Sequence, residues 1–284
     1  MNFEETYIET NGIRLHVVQA GPQGGKPVLL LHGFPEFWRG WIKQIPALAE
    51  AGHRVIVPDQ RGYNLSDKPK GVKAYRLDAL AQDVIGLMDA LHYEKVTLVG
   101  HDWGAMVAWA LAIWKPERVQ RLGILNVPHP AVMGRFVQRD PEQIRRSWYA
   151  FLFQLPWFPE AGMRADDWRG AERALRGSGK IHTFTNEDVV EYKKAWSQPG
   201  AMTAMINWYR ALMRRRLPMP ENPRVCVPTL MLWGMKDVAL THRMARPSMD
   251  YCDDGRLVLF PDATHWVQRD EADEVNRYLL DFIK

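Results

Sequence analysis

Cysteine is scarce: the 284 residues contain only Cys226 and Cys252. Two lone thiols make neither a disulfide framework nor a zinc-ligand spacing, and they fit a reducing cytosol, so a cytoplasmic location is expected. No apolar run approaches the roughly 20 residues needed to span a bilayer. The opening residues, Met1-Asn2-Phe3-Glu4-Glu5-Thr6-Tyr7, lack a basic region followed by an apolar stretch, so no signal peptide is expected. There is no strong charge of one sign: the net charge is +4, and the short basic run Arg214, Arg215, Arg216 reads as a solvated helix end. Neither nucleic acid nor a membrane is therefore expected as a partner, and oligomeric state is left open. No internal repeat or low-complexity tract is present, and Gly-x-Ser-x-Gly occurs nowhere.

What is present fits a folded α/β protein. Hydrophobic residues make up 46% and charged residues 25%, a balance that excludes wholesale disorder. The twelve tryptophans imply a large core or a deep apolar pocket. Short apolar runs read as buried strands at Val28–Leu31, Arg54–Val57, Val96–Val99, Leu122–Leu125, Thr229–Leu232 and Leu257–Phe260. Each is too short for a helix and is followed by Gly, Asp, Asn or Pro. Leu77, Leu80, Val84, Leu87, Met88 and Leu91 recur at helical spacing, as do Val275, Leu279 and Phe282. Alternating strands and helices predict a mostly parallel sheet covered on both faces. The alternation stops after Asn126. From about Pro130 to Pro218 the pattern is helical, rich in Trp, Met and Arg, and closed by Pro218, Pro220 and Pro223. The expected organisation is a core over residues 1–129 and 219–284, with a helical cap inserted at 130–218.

The chemistry centres on Gly100-His101-Asp102-Trp103-Gly104-Ala105, between the strand at Val96–Val99 and a helix reaching about Trp114. Strand, tight turn and helix with Gly-x-nucleophile-x-Gly describe a nucleophile elbow, here with Asp in the middle. Serine attacking a saturated carbon would leave an ether that is hard to cleave. Aspartate leaves an ester that water cleaves, and it is ionised at neutral pH without a base. Asp102 thus suits displacement at an sp³ carbon, by opening an epoxide or expelling a halide. In isolation, such an Asp also reads as a loop carboxylate capping the next helix.

The second step needs a base. His265 lies beyond the strand Leu257–Phe260, and Asp237 beyond Thr229–Leu232. The order nucleophile, acid, histidine is the one expected for an elbow of this kind. Asp237 would hold one ring nitrogen while the other takes a proton from water. After Val28–Leu31 comes His32-Gly33-Phe34-Pro35, and the backbone N–H groups of Phe34 and Trp103 are candidates for an oxyanion hole. No metal or cofactor is required.

These segments, with Asp59-Gln60-Arg61-Gly62-Tyr63-Asn64-Leu65-Ser66-Asp67-Lys68-Pro69, resemble the α/β-hydrolase-fold epoxide hydrolases along nearly the whole chain. The resemblance implies a cis Phe34–Pro35 bond. It also implies two cap tyrosines that hydrogen-bond the epoxide oxygen: Tyr149, four residues before Phe153-Gln154, and Tyr209, in Asn207-Trp208-Tyr209-Arg210. Substrate contacts are expected at His32, Pro35, Trp38, Trp103, Phe151, Trp208 and Trp266, for an apolar epoxide. The neighbours Trp148, Phe151, Ile206, Trp208 and Leu212 read equally as core packing.

The core motifs are shared with dehalogenases, which remain the alternative. A haloalkane dehalogenase would use Asp102, His265 and the Trp103 indole, but it usually needs a second halide donor, often Asn, where this chain has Phe34. A fluoroacetate dehalogenase has arginines just beyond the nucleophile; here Trp103, Ala105 and Met106 stand there. A binding protein on the same fold would be expected to have lost a member of the constellation, and none is missing.

Overall fold

The computed structural model describes residues 3–214 and 219–284. Arg215, Arg216 and Pro218, and with them the expected end of the cap, lie outside the described residues. Eight strands form one sheet in the order β1-β2-β4-β3-β5-β6-β7-β8. They are β1 (Glu4–Thr10), β2 (Ile13–Ala20), β3 (Pro27–Leu31), β4 (Arg54–Pro58), β5 (Val96–His101), β6 (Val119–Leu125), β7 (Thr229–Gly234) and β8 (Gly255–Phe260). From β4 across to β8 all neighbours are parallel, while β1–β2 and β2–β4 are antiparallel.

All six expected strands are present. The first two were not anticipated. β1 is a polar edge strand with most of its side chains in solvent, so it shows no apolar run. Its partner follows through Asn11-Gly12, both at positive φ (47° and 73°), the residue pair favoured in a two-residue hairpin turn.

Helices cover the sheet: α1 (Gln44–Glu50), α2 (Leu77–Ala90) and α3 (Trp103–Trp114) precede β6. α2 buries Leu77, Leu80, Val84, Leu87 and Met88, the stripe read from its spacing. α3 is buried on nearly every face, and accordingly carries no charged residue between Trp103 and Trp114.

Between β6 and β7 the described residues contain helices and no strand: α4 (Pro130–Arg139), α5 (Pro141–Arg146), α6 (Trp148–Leu152), α7 (Phe158–Gly177), α8 (Asn186–Trp196) and α9 (Ala201–Arg214). α7 is broken at Ala165–Trp168, where the backbone leaves helical values. α8 starts at a capping box, Thr185 and Asp188 satisfying each other's backbone N–H. α10 (Ala245–Met249), α11 (Val267–Asp270) and α12 (Ala272–Ile283) complete the chain, and α12 seals its apolar face with Val275, Leu279 and Ile283. No helix among the described residues is long and apolar enough to cross a membrane.

The parallel strands share one consequence. Their C-terminal ends lie along one edge of the sheet, so the loops after β3, β5, β6, β7 and β8 gather there. These loops carry Phe34, Asp102, Asn126, Asp237 and His265. The crevice at that edge is where open parallel sheets bind their ligands.

Candidate active site

The turn between β5 and α3 forces Asp102 into φ 49°, ψ −122°, which a non-glycine residue rarely adopts. Two glycines make the turn possible. A Cβ on Gly100 would press on the backbone of Gly104 and Ala105, and one on Gly104 would strike the carbonyls of Leu31 and His32. The same crowding applies at Gly33, where a side chain would occupy the space of the Asp102 carboxylate. Asp102 therefore stands over the end of β5 with loop β3 folded against it.

One carboxylate oxygen, Oδ1, accepts the Phe34 N–H at 2.7 Å. The other, Oδ2, lies 3.5 Å from Nε2 of His265. Burial would raise the Asp102 pKa, but the facing His265 ring, His101 and the Phe34 N–H outweigh it and hold the carboxyl below its ordinary value. Asp102 is thus an ionised carboxylate. Trp103 opens α3, so its N–H is among the first-turn donors that have no partner within the helix.

On its far side, His265 Nδ1 meets Asp237 Oδ2 at 2.7 Å. Asp237 is fully buried and held from several directions: Oδ1 accepts the N–H groups of Ala239 (2.7 Å) and Leu240 (2.9 Å), and Oδ2 accepts the Asn126 amide at 2.8 Å. Burial pushes the His265 ring toward the neutral form. The charge of Asp237 and the contacts with Asp102 push harder the other way, and its pKa rises to about 10.

Tyr149 on α6 and Tyr209 on α9 face this dyad, their ring centroids 5.9 Å apart. Tyr209 also meets Trp103 at 4.9 Å and Phe34 at 5.3 Å, both edge to face. Burial first, and the Asp102 charge next, raise both phenol pKa values above 10.0, so both hydroxyls keep their protons.

Two cavities meet at these residues. One, of about 430 Å³, is lined by Phe34, Pro35, Asp102, Tyr149, Tyr209, His265 and Trp266, with Arg146 and Arg173 farther out. The second, of about 310 Å³, shares Asp102, Tyr149 and Tyr209 and continues past Trp103, Met106, Phe151, Leu212 and Leu240. Asp102 thus sits between an arm with some polar wall and an arm that is almost wholly apolar.

The family described as alpha/beta hydrolase fold matches residues 26–272. The chain is 47% identical to the AB hydrolase superfamily protein YfhM of Bacillus subtilis, over 98% of this chain and 97% of that one. It is 39% identical to Epoxide hydrolase 4 of Homo sapiens, over 98% of this chain and 77% of that one. Its structure superposes on the crystal structure of Bacillus megaterium epoxide hydrolase in complex with an inhibitor with a TM-score of 0.91, at 31% identity, covering 98% of this chain and 99% of that one.

The chain belongs to the epoxide hydrolases of the α/β hydrolase fold.

In this epoxide hydrolase the Phe34–Pro35 bond is cis. Pro35, Trp103, Phe151 and Trp266 line the cavities, but three expected substrate contacts do not. His32 is fully buried and its Nε2 accepts the Gln60 N–H, fixing one loop to the next. Trp38 packs on Phe3 and Phe37, and its N–H is held by Asp59. Trp208 donates its indole N–H to the Arg61 carbonyl and stacks edgewise on Trp103, so it backs the wall without forming it. Aromatic type alone does not separate a lining residue from the one behind it.

The sequence did not announce the roles of other supporting residues. Asn126 bridges three strand ends, receiving the Gly234 N–H at 3.0 Å while donating to Asp237. Its one legible sign is an Asn directly after a strand, a residue type that tolerates the left-handed φ of 55° found there. His101 Nε2 donates to the His265 carbonyl at 2.8 Å, and Glu36 lies 3.1 Å from its Nδ1. Arg146 donates to the Asp237 carbonyl from the helical insert.

The raised pKa of His265 couples the stability of the fold to pH. A folded pKa above the unfolded one means the charged ring stabilises the fold fully below about pH 6.5, and this is lost as pH rises through about 10. Thermal melts from about pH 6 to about pH 10.5 should show the wild type falling more steeply than His265→Gln. Parallel slopes would contradict the assignment.

Proposed function

We propose that this enzyme converts epoxides and water to vicinal diols through an ester formed on Asp102, beneath a cap formed by residues 130–218. The observation that carries the reading is an ionised, half-buried carboxylate facing two protonated phenols where two largely apolar cavities meet. An epoxide there meets a nucleophile on carbon from one side and hydrogen-bond donors on oxygen from the other.

Asp102 Oδ2 attacks a ring carbon and the C–O bond opens. The alkoxide that develops takes a proton from Tyr149 or Tyr209, leaving a phenolate and a neutral ester. Oδ1, still against the Phe34 N–H, is now the ester carbonyl oxygen. Ester formation also removes one of the two negative charges that hold the proton on His265. The ring then yields that proton to the phenolate and becomes the base the second step needs. Held by Asp237, it draws a proton from water, which attacks the ester carbonyl carbon. The N–H groups of Phe34 and Trp103 support the oxyanion. Collapse releases the diol, its second hydroxyl protonated by His265, and the carboxylic acid left on Asp102 then passes its proton to the ring, restoring the carboxylate and the charged His265.

A cavity arm on each side of Asp102 suits an epoxide bearing an apolar substituent on each ring carbon, the bulkier one in the arm lined by Met106, Phe151, Leu212 and Leu240. The direct test is a parallel assay on styrene oxide, a chloroalkane and fluoroacetate. Diol formation without halide release is the expected result; halide release without diol would overturn the proposal. Replacing Tyr149 and Tyr209 together with Phe is expected to slow ring opening by about 10²-fold or more in single-turnover kinetics. Ring opening at the wild-type rate would show that the phenols do not serve the epoxide oxygen.

A further inference from the structure

The helical insert exposes aromatic surface of a kind that a monomer seldom leaves in water. Within eleven residues, Trp148, Phe151, Leu155, Trp157 and Phe158 all lie largely in solvent, Trp157 at 81% exposure. The segment is compact: the N–H groups of Phe153, Gln154, Leu155 and Phe158 all turn back onto nearby carbonyls. Trp157 adopts φ 60°, a left-handed conformation that a bulky residue rarely enters, and its ring still points into solvent.

Two further features surround this edge. The first is charge. Residues 130–214 carry thirteen Lys and Arg against nine Asp and Glu, a surplus equal to the +4 of the whole chain. Near the aromatic edge the acids are already engaged: Asp140 and Glu142 with Arg243, Glu142 also with Arg146, and Glu160 with Arg210. Arg139, Arg145, Arg164 and Arg173 have no ion-pair partner among the described residues, and Arg164 shares a cavity wall with Trp157. The second is access. Trp148 lines one cavity arm and Phe151 the other, and both are more than half exposed, so the edge borders the openings of both arms.

We infer that this aromatic edge docks on an anionic phospholipid surface, from which apolar epoxides pass into the site. Tryptophan and phenylalanine settle at the boundary of headgroups and acyl chains, and unpaired arginines beside them add attraction to anionic lipid. A second copy of the chain seated on the same edge would cover Trp148 and Phe151 and close the openings; a bilayer covers them with the phase in which an apolar substrate concentrates. The choice of lipid over a second copy rests on the proposed substrate class, whereas the docking itself is read without catalysis. The absence of a spanning segment, which led to the expectation of no membrane partner, does not bear on a surface contact of this kind.

The test is flotation of the purified enzyme with vesicles of phosphatidylcholine alone and of phosphatidylcholine with one-third phosphatidylglycerol. The wild type is expected to float with the anionic vesicles and far less with the neutral ones. Trp157→Ser combined with Phe158→Ser should cut the bound fraction about tenfold, and Arg145→Glu combined with Arg164→Glu should cut it several-fold. Neither pair touches the cavities at Asp102, so diol formation from a water-soluble epoxide should stay at the wild-type level and report that both variants are folded. Failure of the wild type to float with anionic vesicles, or equal flotation of the serine variant, overturns the inference. So does a dimer in sedimentation that dissociates on the serine substitutions without any vesicle binding, which would assign the edge to a subunit contact.

Discussion

Replacing His265 with glutamine is expected to leave the enzyme loaded with its substrate as an ester on Asp102, with kcat lowered by about 10³-fold or more. In the proposed mechanism, ring opening asks only for the Asp102 carboxylate and the two phenols, none of which is removed. Hydrolysis of the ester asks for a base within reach of the carbonyl carbon, and His265 Nε2, 3.5 Å from Oδ2, is the group positioned for it. Glutamine fills similar space and cannot take the proton. The check is intact-protein mass spectrometry after mixing with styrene oxide: a species heavier by the mass of the epoxide, mapping to the peptide that contains Asp102. Residual turnover with no such species would mean that the histidine acts before the ester forms, or that no ester forms.

Asp102→Ala is expected to abolish diol formation, with a loss of about 10⁴-fold or more, and to leave no covalent species on the protein. The cavities stay open, Tyr149 and Tyr209 keep their places, and binding of an epoxide or diol should change little. The loss therefore belongs to kcat. The substitution also removes one of the two carboxylates that hold the proton on His265, so the ring pKa should fall from about 10. A titration of the ring by NMR would register this directly, and an unchanged value would contradict the electrostatic account of the site. Activity within a factor of about ten of wild type would mean that water attacks the epoxide without a covalent step.

How much of this was legible in the sequence differs by element. The six core strands were readable because buried parallel strands are nearly continuous apolar runs. β1 was not, because most side chains of this edge strand are polar and lie in solvent, so it carries no such run. The grouping of Asp102, His265 and Asp237 was readable because each follows its strand within a few residues, so chain order stands in for spatial proximity. Tyr149 and Tyr209 were different. They lie on separate helices of the insert, sixty residues apart in sequence, and nothing in their local pattern distinguishes them from Trp148 or Trp208; only likeness to a family singled them out. His32, Trp38 and Trp208 show the same limit: residue type alone suggested them as substrate contacts, and none of them lines either cavity. Asn126, His101 and Glu36 act through hydrogen bonds between distant segments, which no spacing rule encodes.

In the proposed mechanism Asp102 bonds covalently to the substrate and water attacks its acyl carbon. A single turnover in ¹⁸O-labelled water, with enzyme in excess over epoxide, separates this from every direct hydrolysis. The account predicts the label in the carboxylate of Asp102, found in the peptide carrying that residue, and an unlabelled diol. Label in the diol after that first turnover, with none in the side chain, would contradict it.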